Sequence, residues 1–193
     1  MTRPPLKIKC NTTDCPNDLH WFRKKPRTKD EKAYGPCNEC GADRIDWQQP
    51  HQRNIADAQT TFAQLRREWI RHYCWHEWLD QRAINYALRK GRTELRGAVR
   101  RRLEQSIGPA TPWRDGAQTT FGGTNPTNYA RHATASCCRK CVAEWHGIPE
   151  GKALTSDEID YLTDLAMLYL EERIPELTDD PQTIAPIRTK HGN

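Results

Sequence analysis

CNTTDC at residues 10–15 and CNECG at residues 37–41 are the two stretches on which the fold class turns. Cys10 and Cys15 are separated by four residues, Cys37 and Cys40 by two, and 21 residues lie between the pairs. Two thiolate pairs on tight turns match the tetrahedral shell of Zn²⁺, and Gly41 can take the left-handed backbone that curls amides toward the sulfurs. On the flanks, Leu6, Ile8 and Cys10 alternate with lysines, Leu19–Phe22 is a second apolar run, and KKPRTKDEKA at 24–33 is a hydrophilic excursion between strands. The pattern predicts a zinc-ribbon β module over residues 6–47, with Cys10, Cys15, Cys37 and Cys40 as ligands of a structural Zn²⁺. Four thiolates leave no position open to substrate, and a module of about 40 residues has too little core to stand without such a clip.

Beyond the Gln48–Asn54 linker the apolar period lengthens from two to between three and four. Ile55, Ala58, Phe62, Leu65, Trp69 and Tyr73 form one stripe, predicting an amphipathic helix through HYCWHEW. A second helix follows Asp80 and stops at Gly91; a third runs through TELRGAVRRRLEQSIG with Leu95, Val99, Leu103 and Ile107 inward. The last carries a Thr155/Glu158 capping box and an inward face of Ile159, Leu162, Ala166 and Tyr169 before Pro175. The expected fold is therefore α+β: an N-terminal zinc ribbon (1–50), a mostly helical domain (51–178) and an extended or disordered tail (179–193).

The helical region holds a second Cys/His cluster in RHATASCCRKCVAEWHGIP, residues 131–149. If Cys137–Trp145 is helical, Cys138 and Cys141 lie three apart and Cys137 and Cys141 four apart, so each pair can reach one ion. His132 can approach from the preceding turn, and His146 can join if the helix ends near Trp145, as Gly147 and Pro149 suggest. A second Zn²⁺ on His132, Cys137, Cys138, Cys141 and His146 is the expectation. A thiolate set drawing on Cys74 would suit iron and sulfur instead, and the bland alternative makes the cysteines small buried residues.

DGAQT at 115–119, the HATASCCRKCVAEWHGIP run and the capped LTSDEIDYL helix resemble a bacterial and phage family known only as domain of unknown function number four-one-eight-six. The likeness spans about Trp69 to Leu177, and the chain also resembles the longer members, in which a ribbon precedes the domain. Two positions depart from its pattern: QTT stands for QTP, and Arg131 for a Gln. The family brings no activity, so the resemblance identifies the domain without implying a reaction.

The chain has 193 residues and a formal charge of +5, with no apolar run long enough for a membrane helix and no secretory leader. A cytoplasmic location is expected, where eight cysteines are more naturally ligands or thiols than disulfides. Residues 51–108 carry twelve Lys/Arg against six Asp/Glu, whereas residues 109–193 carry eight against twelve. Within the basic part, Arg89, Arg92, Arg96, Arg100 and Arg101 could meet phosphate together, with Lys24 and Lys25 beside Trp21 and Phe22 as a second basic surface suited to nucleic acid. The favoured function is a zinc-binding protein contacting nucleic acid or a nucleic-acid-handling complex. No established catalytic motif occurs; the alternatives are a metal-dependent hydrolase or nuclease using Asp115, Gln118 and His132, and a protein-binding adaptor.

Overall fold

The structure, a computed structural model, describes residues 9–28, 31–115, 122–185 and 187. Its regular elements are α1 (Gln48–His51), α2 (Ala58–Leu65), α3 (Trp69–His76), α4 (Gln81–Ile107), α5 (Pro126–Ala133), α6 (Arg139–His146) and α7 (Ser156–Arg173), with 3-10 turns at Cys15–Asn17 and Ile55–Asp57. No helix among the described residues is long and apolar enough to cross a membrane.

The expected α+β class is overturned. Among the described residues there is no strand, and the N-terminal segment makes only three isolated bridges, Asp14 to Leu19, His20 to Glu68 and Arg23 to Tyr34. The physical reason is where its apolar side chains go. A ribbon would line Leu19–Phe22 and its neighbours along a sheet, but Phe22, Cys37 and Ile45 are buried in the same hydrophobic cluster as the helices. Phe22 meets Trp47 and Trp145 edge-on at 5.9 and 6.3 Å. Burying such a ring contributes roughly 1.5–3 kcal/mol, more than a two-stranded ladder without a core of its own can supply.

The same segment explains why the helix expected through HYCWHEW is split. His20 enters the gap between α2 and α3: its N–H donates to the carbonyl of Arg67 at 2.8 Å, and its carbonyl accepts from the N–H of Trp69 at 3.0 Å. The backbone groups that a continuous helix would pair internally are paired with residue 20 instead.

Helix α7 is the centre of the bundle, with Leu162, Leu165, Ala166, Tyr169 and Leu170 fully buried, and it packs on α4 and α5. Its N-terminus has the expected capping box between Thr155 and Glu158. On α4 the stripe Leu95, Val99, Leu103, Ile107 is fully buried. Arg96 bonds Asp164 at 2.8 Å and Arg100 bonds Asp160 at 3.0 Å, so the basic face of α4 lies along acids of α7.

The stop expected at Gly91 is a kink within α4, at φ 67° and ψ 167°. The groups it unpairs are taken up by the C-terminal segment: the Arg92 N–H donates to the Thr178 carbonyl at 2.8 Å, and the Gln182 N–H donates to the Leu88 carbonyl at 2.9 Å. A Cβ at position 91 would lie 2.5 Å from the carbonyl oxygen of Asp179. Gly91→Ala therefore forces both a backbone conformation that costs about 1–3 kcal/mol and the displacement of this segment. Chemical denaturation is expected to show a loss at the upper end of that range, with faster proteolysis after Ile174; an unchanged midpoint would contradict the kink.

Candidate metal centres

The first centre differs from the expected ligand set by one residue. The donor atoms of Cys15, His20, Cys37 and Cys40 all lie within 4.8 Å of one another, and Cys10 is not among them. The substitution has a simple basis: Cys10-x4-Cys15 and Cys15-x4-His20 have the same spacing, so the sequence offers the same turn twice. The 3-10 turn Cys15–Asn17 ends at Asp18 in the left-handed conformation, which brings the chain back so that His20 faces Cys40. The hydrogen bonds from Cys37 N–H to the Ala42 carbonyl and from Gly41 N–H to the Cys37 carbonyl close the other half as a tight knuckle, with Gly41 at φ 75°.

The spacings test whether zinc fits. Bond lengths of about 2.3 Å to sulfur and about 2.0 Å to nitrogen in a tetrahedron require about 3.8 Å between sulfurs and about 3.5 Å between sulfur and nitrogen. Cys15 Sγ and Cys37 Sγ are 3.8 Å apart, and Cys40 Sγ and His20 Nδ1 are 3.5 Å apart. On the far side of the ring, His20 Nε2 donates to Asp18 Oδ1 at 2.9 Å, leaving Nδ1 to bind. A carboxylate behind a ligating imidazole is the usual way its tautomer is fixed, and Arg67 and Arg44 hold Asp18 from outside at 2.8 and 3.2 Å. Burial alone would raise the Cys37 thiol, but backbone hydrogen bonds at Cys40, Trp21 and Glu39 and the contact with His20 bring it down to about 6. Burial and the neighbouring sulfurs of Cys40 and Cys37 push Cys15 up to about 11. Cys37 is thus prepared as a thiolate, and a bound cation would offset the burial that holds the Cys15 thiol neutral.

The second centre lies where the N-terminal segment, α3 and α6 meet. Cys137, Cys138 and Cys141 bring their sulfurs within 4.8 Å of one another. Helix α6 begins at Arg139, with Cys138 extended at its N-cap, so Cys137 and Cys138 approach from outside the helix and Cys141 from its first turn. Cys141 is 3.4 Å from Cys137 and 3.3 Å from Cys138, so a tetrahedral ion would spread the sulfurs by about 0.4 Å. Two guanidinium groups aim at the trio. Arg71 Nη2 and Arg23 Nη2 each donate to Cys141 Sγ at 3.0 Å, and Arg71 Nη1 lies 3.7 Å from Cys137 Sγ.

These arginines are held in turn. Arg71, fully buried, donates to Glu68 at 3.0 Å and to the His132 carbonyl at 2.7 Å, while Trp145 Nε1 donates to the same Glu68 oxygen at 2.8 Å. Arg23 donates to Glu144 at 2.7 Å. Burial first, then the charge of Glu68, raises the Glu144 carboxyl to about 8 against the pull of Arg23 and Arg71, and its Oε1 is buried without a hydrogen-bond partner. Hydrogen bonding with Cys138 and Cys141 holds Cys137 well below the ordinary thiol range, and the same contact with Cys137 drives Cys138 up to about 11. The pocket around the trio is positive, a setting that favours anionic sulfur. None of the eight cysteines is in a disulfide.

The other expected site residues have different roles. His146 does not join the sulfurs: its Nε2 donates to the Thr134 carbonyl at 2.9 Å and its Nδ1 faces the Tyr161 hydroxyl at 3.4 Å, and burial lowers its pKa to about 4, keeping it neutral. Gly147 ends α6 at φ 63° as expected, but His146 is still within the helix, five positions after Cys141 and so about 140° round the axis from it. The His132 ring lies near enough to Cys137 to lower its pKa, yet outside the three-sulfur group. Asp115 accepts the Arg139 N–H at 2.9 Å and so caps α6; Gln118 lies outside the described residues. Cys74 is buried in the hydrophobic cluster, and burial raises its pKa. Arg92, Arg96 and Arg100 are paired with Glu171, Asp164 and Asp160 respectively, and Lys24 with Asn38, whereas Arg89, Arg101 and Lys25 are exposed. Arg23, Arg71 and Glu68, which organise the second centre, had no sequence signal.

No solved structure matches the chain. The profile of one family, described as a domain of unknown function and designated DUF4186, matches residues 59–171, a span that takes in α3, the Cys137/Cys138/Cys141 cluster and most of α7. That match covers more than half of the sequence, and the chain belongs to the DUF4186 family.

Proposed function

We propose that this member of the family is a zinc protein with two centres, one on Cys15, His20, Cys37 and Cys40 and one built on Cys137, Cys138 and Cys141, and that it acts as a metal-organised binding protein for nucleic acid. The observation that carries the zinc assignment is the first centre: three sulfurs and one imidazole nitrogen within 4.8 Å of one another, the Cys15–Cys37 and Cys40–His20 spacings matching a tetrahedron, with Asp18 fixing the tautomer. Such a closed shell organises structure. At the second centre the groups nearest the sulfurs are guanidinium donors, which lower the nucleophilicity of thiolates, and Asp115 serves as a helix cap. The nucleic-acid reading rests on the exposed cations Arg89, Arg101 and Lys25.

Metal analysis of the purified chain is expected to give two zinc ions per molecule, and binding to a DNA or RNA oligonucleotide to weaken steeply with salt. Arg89→Gln with Arg101→Gln should reduce the log–log salt slope by about 0.7–0.9 per lost contact. Protein without zinc would sink the metal assignment. Two zinc ions with no salt-sensitive binding to either polynucleotide would replace the nucleic-acid reading with the adaptor one.

A further inference from the structure

We infer that the cleft between residues 32–34 and α1, floored by Tyr34 and Trp47, binds one nucleotide of a single strand, its base stacked on these rings and its phosphate on Lys32 and Lys25. The inference rests on the nucleic-acid reading and names the site and the form of the strand.

The cleft is a cavity of about 390 Å³ lined by Lys32, Tyr34, Trp47, Gln48, His51 and Gln52. Its aromatic floor is held from beneath. Trp47 packs on Trp145 at 5.1 Å and edge-on to Phe22 at 5.9 Å, and both of those rings are fully buried. Towards the cleft it meets Tyr34 at 4.5 Å, and His51 stands edge-on to Tyr34 at 4.8 Å. His51 is fixed in turn, its Nε2–H donating to the Glu144 carbonyl at 2.9 Å. Tyr34 and Trp47 are themselves only half-buried. Rings set in place beforehand lose little freedom when a base stacks on them. The sequence placed the stacking rings at Trp21 and Phe22; Phe22 is spent in the core, and the outer rings are these two.

Two further features choose the guest. Gln48 and Gln52 are exposed, four residues apart and so on one face of α1 and its cap, and neither side-chain amide is bonded within the described residues. Each offers a donor and an acceptor, the complement of the edge that an unpaired base presents. The second feature is charge. No carboxylate lines the cleft among the described residues, and Lys32 Nζ lies over the Tyr34 ring at 5.6 Å from its centre. A cationic guest, such as the ammonium an aromatic cage takes, is repelled; an anion with a flat face is favoured. The bridge between Arg23 and Tyr34, with the Lys24 N–H on the Ala33 carbonyl at 2.8 Å, sets an antiparallel register that brings the exposed Lys25 level with Lys32. Two cations thus stand at one end of the cleft. A base within a duplex has both faces covered by its neighbours, so the strand that fits is single.

The test uses the full chain with Zn²⁺ present and a short oligothymidylate or oligouridylate, beside a duplex of mixed sequence. The single strands should bind more tightly than the duplex. Tyr34→Leu should weaken them by about 5- to 160-fold, the loss of one stacked base, and leave duplex binding unchanged, while Tyr34→Phe keeps the parent affinity. Gln48→Ala with Gln52→Ala, both on the surface, should cost about 2- to 13-fold for each hydrogen bond lost. Lys25→Gln with Lys32→Gln should lower the log–log salt slope by about 0.7 per contact. A strand carrying 5-iodouracil should photo-cross-link to Tyr34 or Trp47 in the unmutated protein, a readout that holds even if Tyr34→Leu folds poorly. Cross-links confined to other residues would overturn the inference, as would Tyr34→Leu and the double glutamine variant both binding single strands like the parent; salt-sensitive binding would then remain, and the nucleic-acid reading with it. Parent protein that binds no polynucleotide at all would overturn that reading and this site together.

Discussion

Cys37→Ser is expected to release the ion of the first centre and to unfold residues 14–42 locally, the largest effect of any single substitution considered for this chain. Metal ligation supplies on the order of 10 kcal/mol of folding free energy in small zinc peptides, and Cys37 is the most readily ionised donor of its set. The segment is no autonomous module, however. Phe22 is locked between Trp47 and Trp145, and Arg23 holds Glu144 and Cys141. Unfolding should therefore spread: hydrogen exchange should rise first at residues 14–42 and then around α6, and part of the apparent loss should be offset by these retained contacts. Metal content measured with exchange decides it. One ion lost with exchange at 14–42 unchanged would show that the shell does not hold the segment.

Arg71→Met should destabilise the whole chain by about 3–5 kcal/mol, because removing one partner of a buried ion pair leaves the other as an uncompensated charge. Here that other is Glu68, 1 % exposed, with Trp145 Nε1 as its remaining donor. The same change strips a hydrogen bond from Cys141 and one from the His132 carbonyl, so the second ion should be held more weakly as well. The double variant Arg71→Met, Glu68→Gln should recover a good part of the stability while leaving the metal affinity low. Urea denaturation of the two variants beside the parent measures this; equal losses in both would mean that the ion pair is not the cause.

What the sequence disclosed and what it hid follow from the range of the forces involved. The capping box at Thr155 and Glu158, the inward stripe of α4 and the end of α6 at Gly147 are set within a few residues, and all were legible. The Cys137/Cys138/Cys141 grouping was legible for the same reason. The ribbon was not. Its cysteine spacing fits any pair of metal-binding turns, and whether the chain between them pairs as strands depends on whether its apolar residues have a core elsewhere. They do, in Trp145 and the helices. The choice of His20 over Cys10 rests on direction, since a donor five residues beyond Cys15 and one five before it are equivalent until the turn at Asp18 is known. Arg71 was the least legible: a lone arginine on a helix is ordinarily solvated, and only the convergence of Glu68, the His132 carbonyl and two sulfurs from distant segments makes it a core residue.

The clasp between the Gly91 kink and residues 178–182 bears on the order in which this chain can become itself. Arg92 and Asp179 are 87 positions apart, and the groups freed at the kink have no partner until that later segment arrives. Before that segment is in place, α4 is expected to behave as two shorter helices joined by a swivel at Gly91, each marginal alone. Their relative direction is fixed only when α7 has packed and Thr178–Gln182 close over the joint. The longest helix is thus among the last features to acquire its shape, and fragments cut at the family boundary of residue 171 would keep both halves of α4 but not the angle between them.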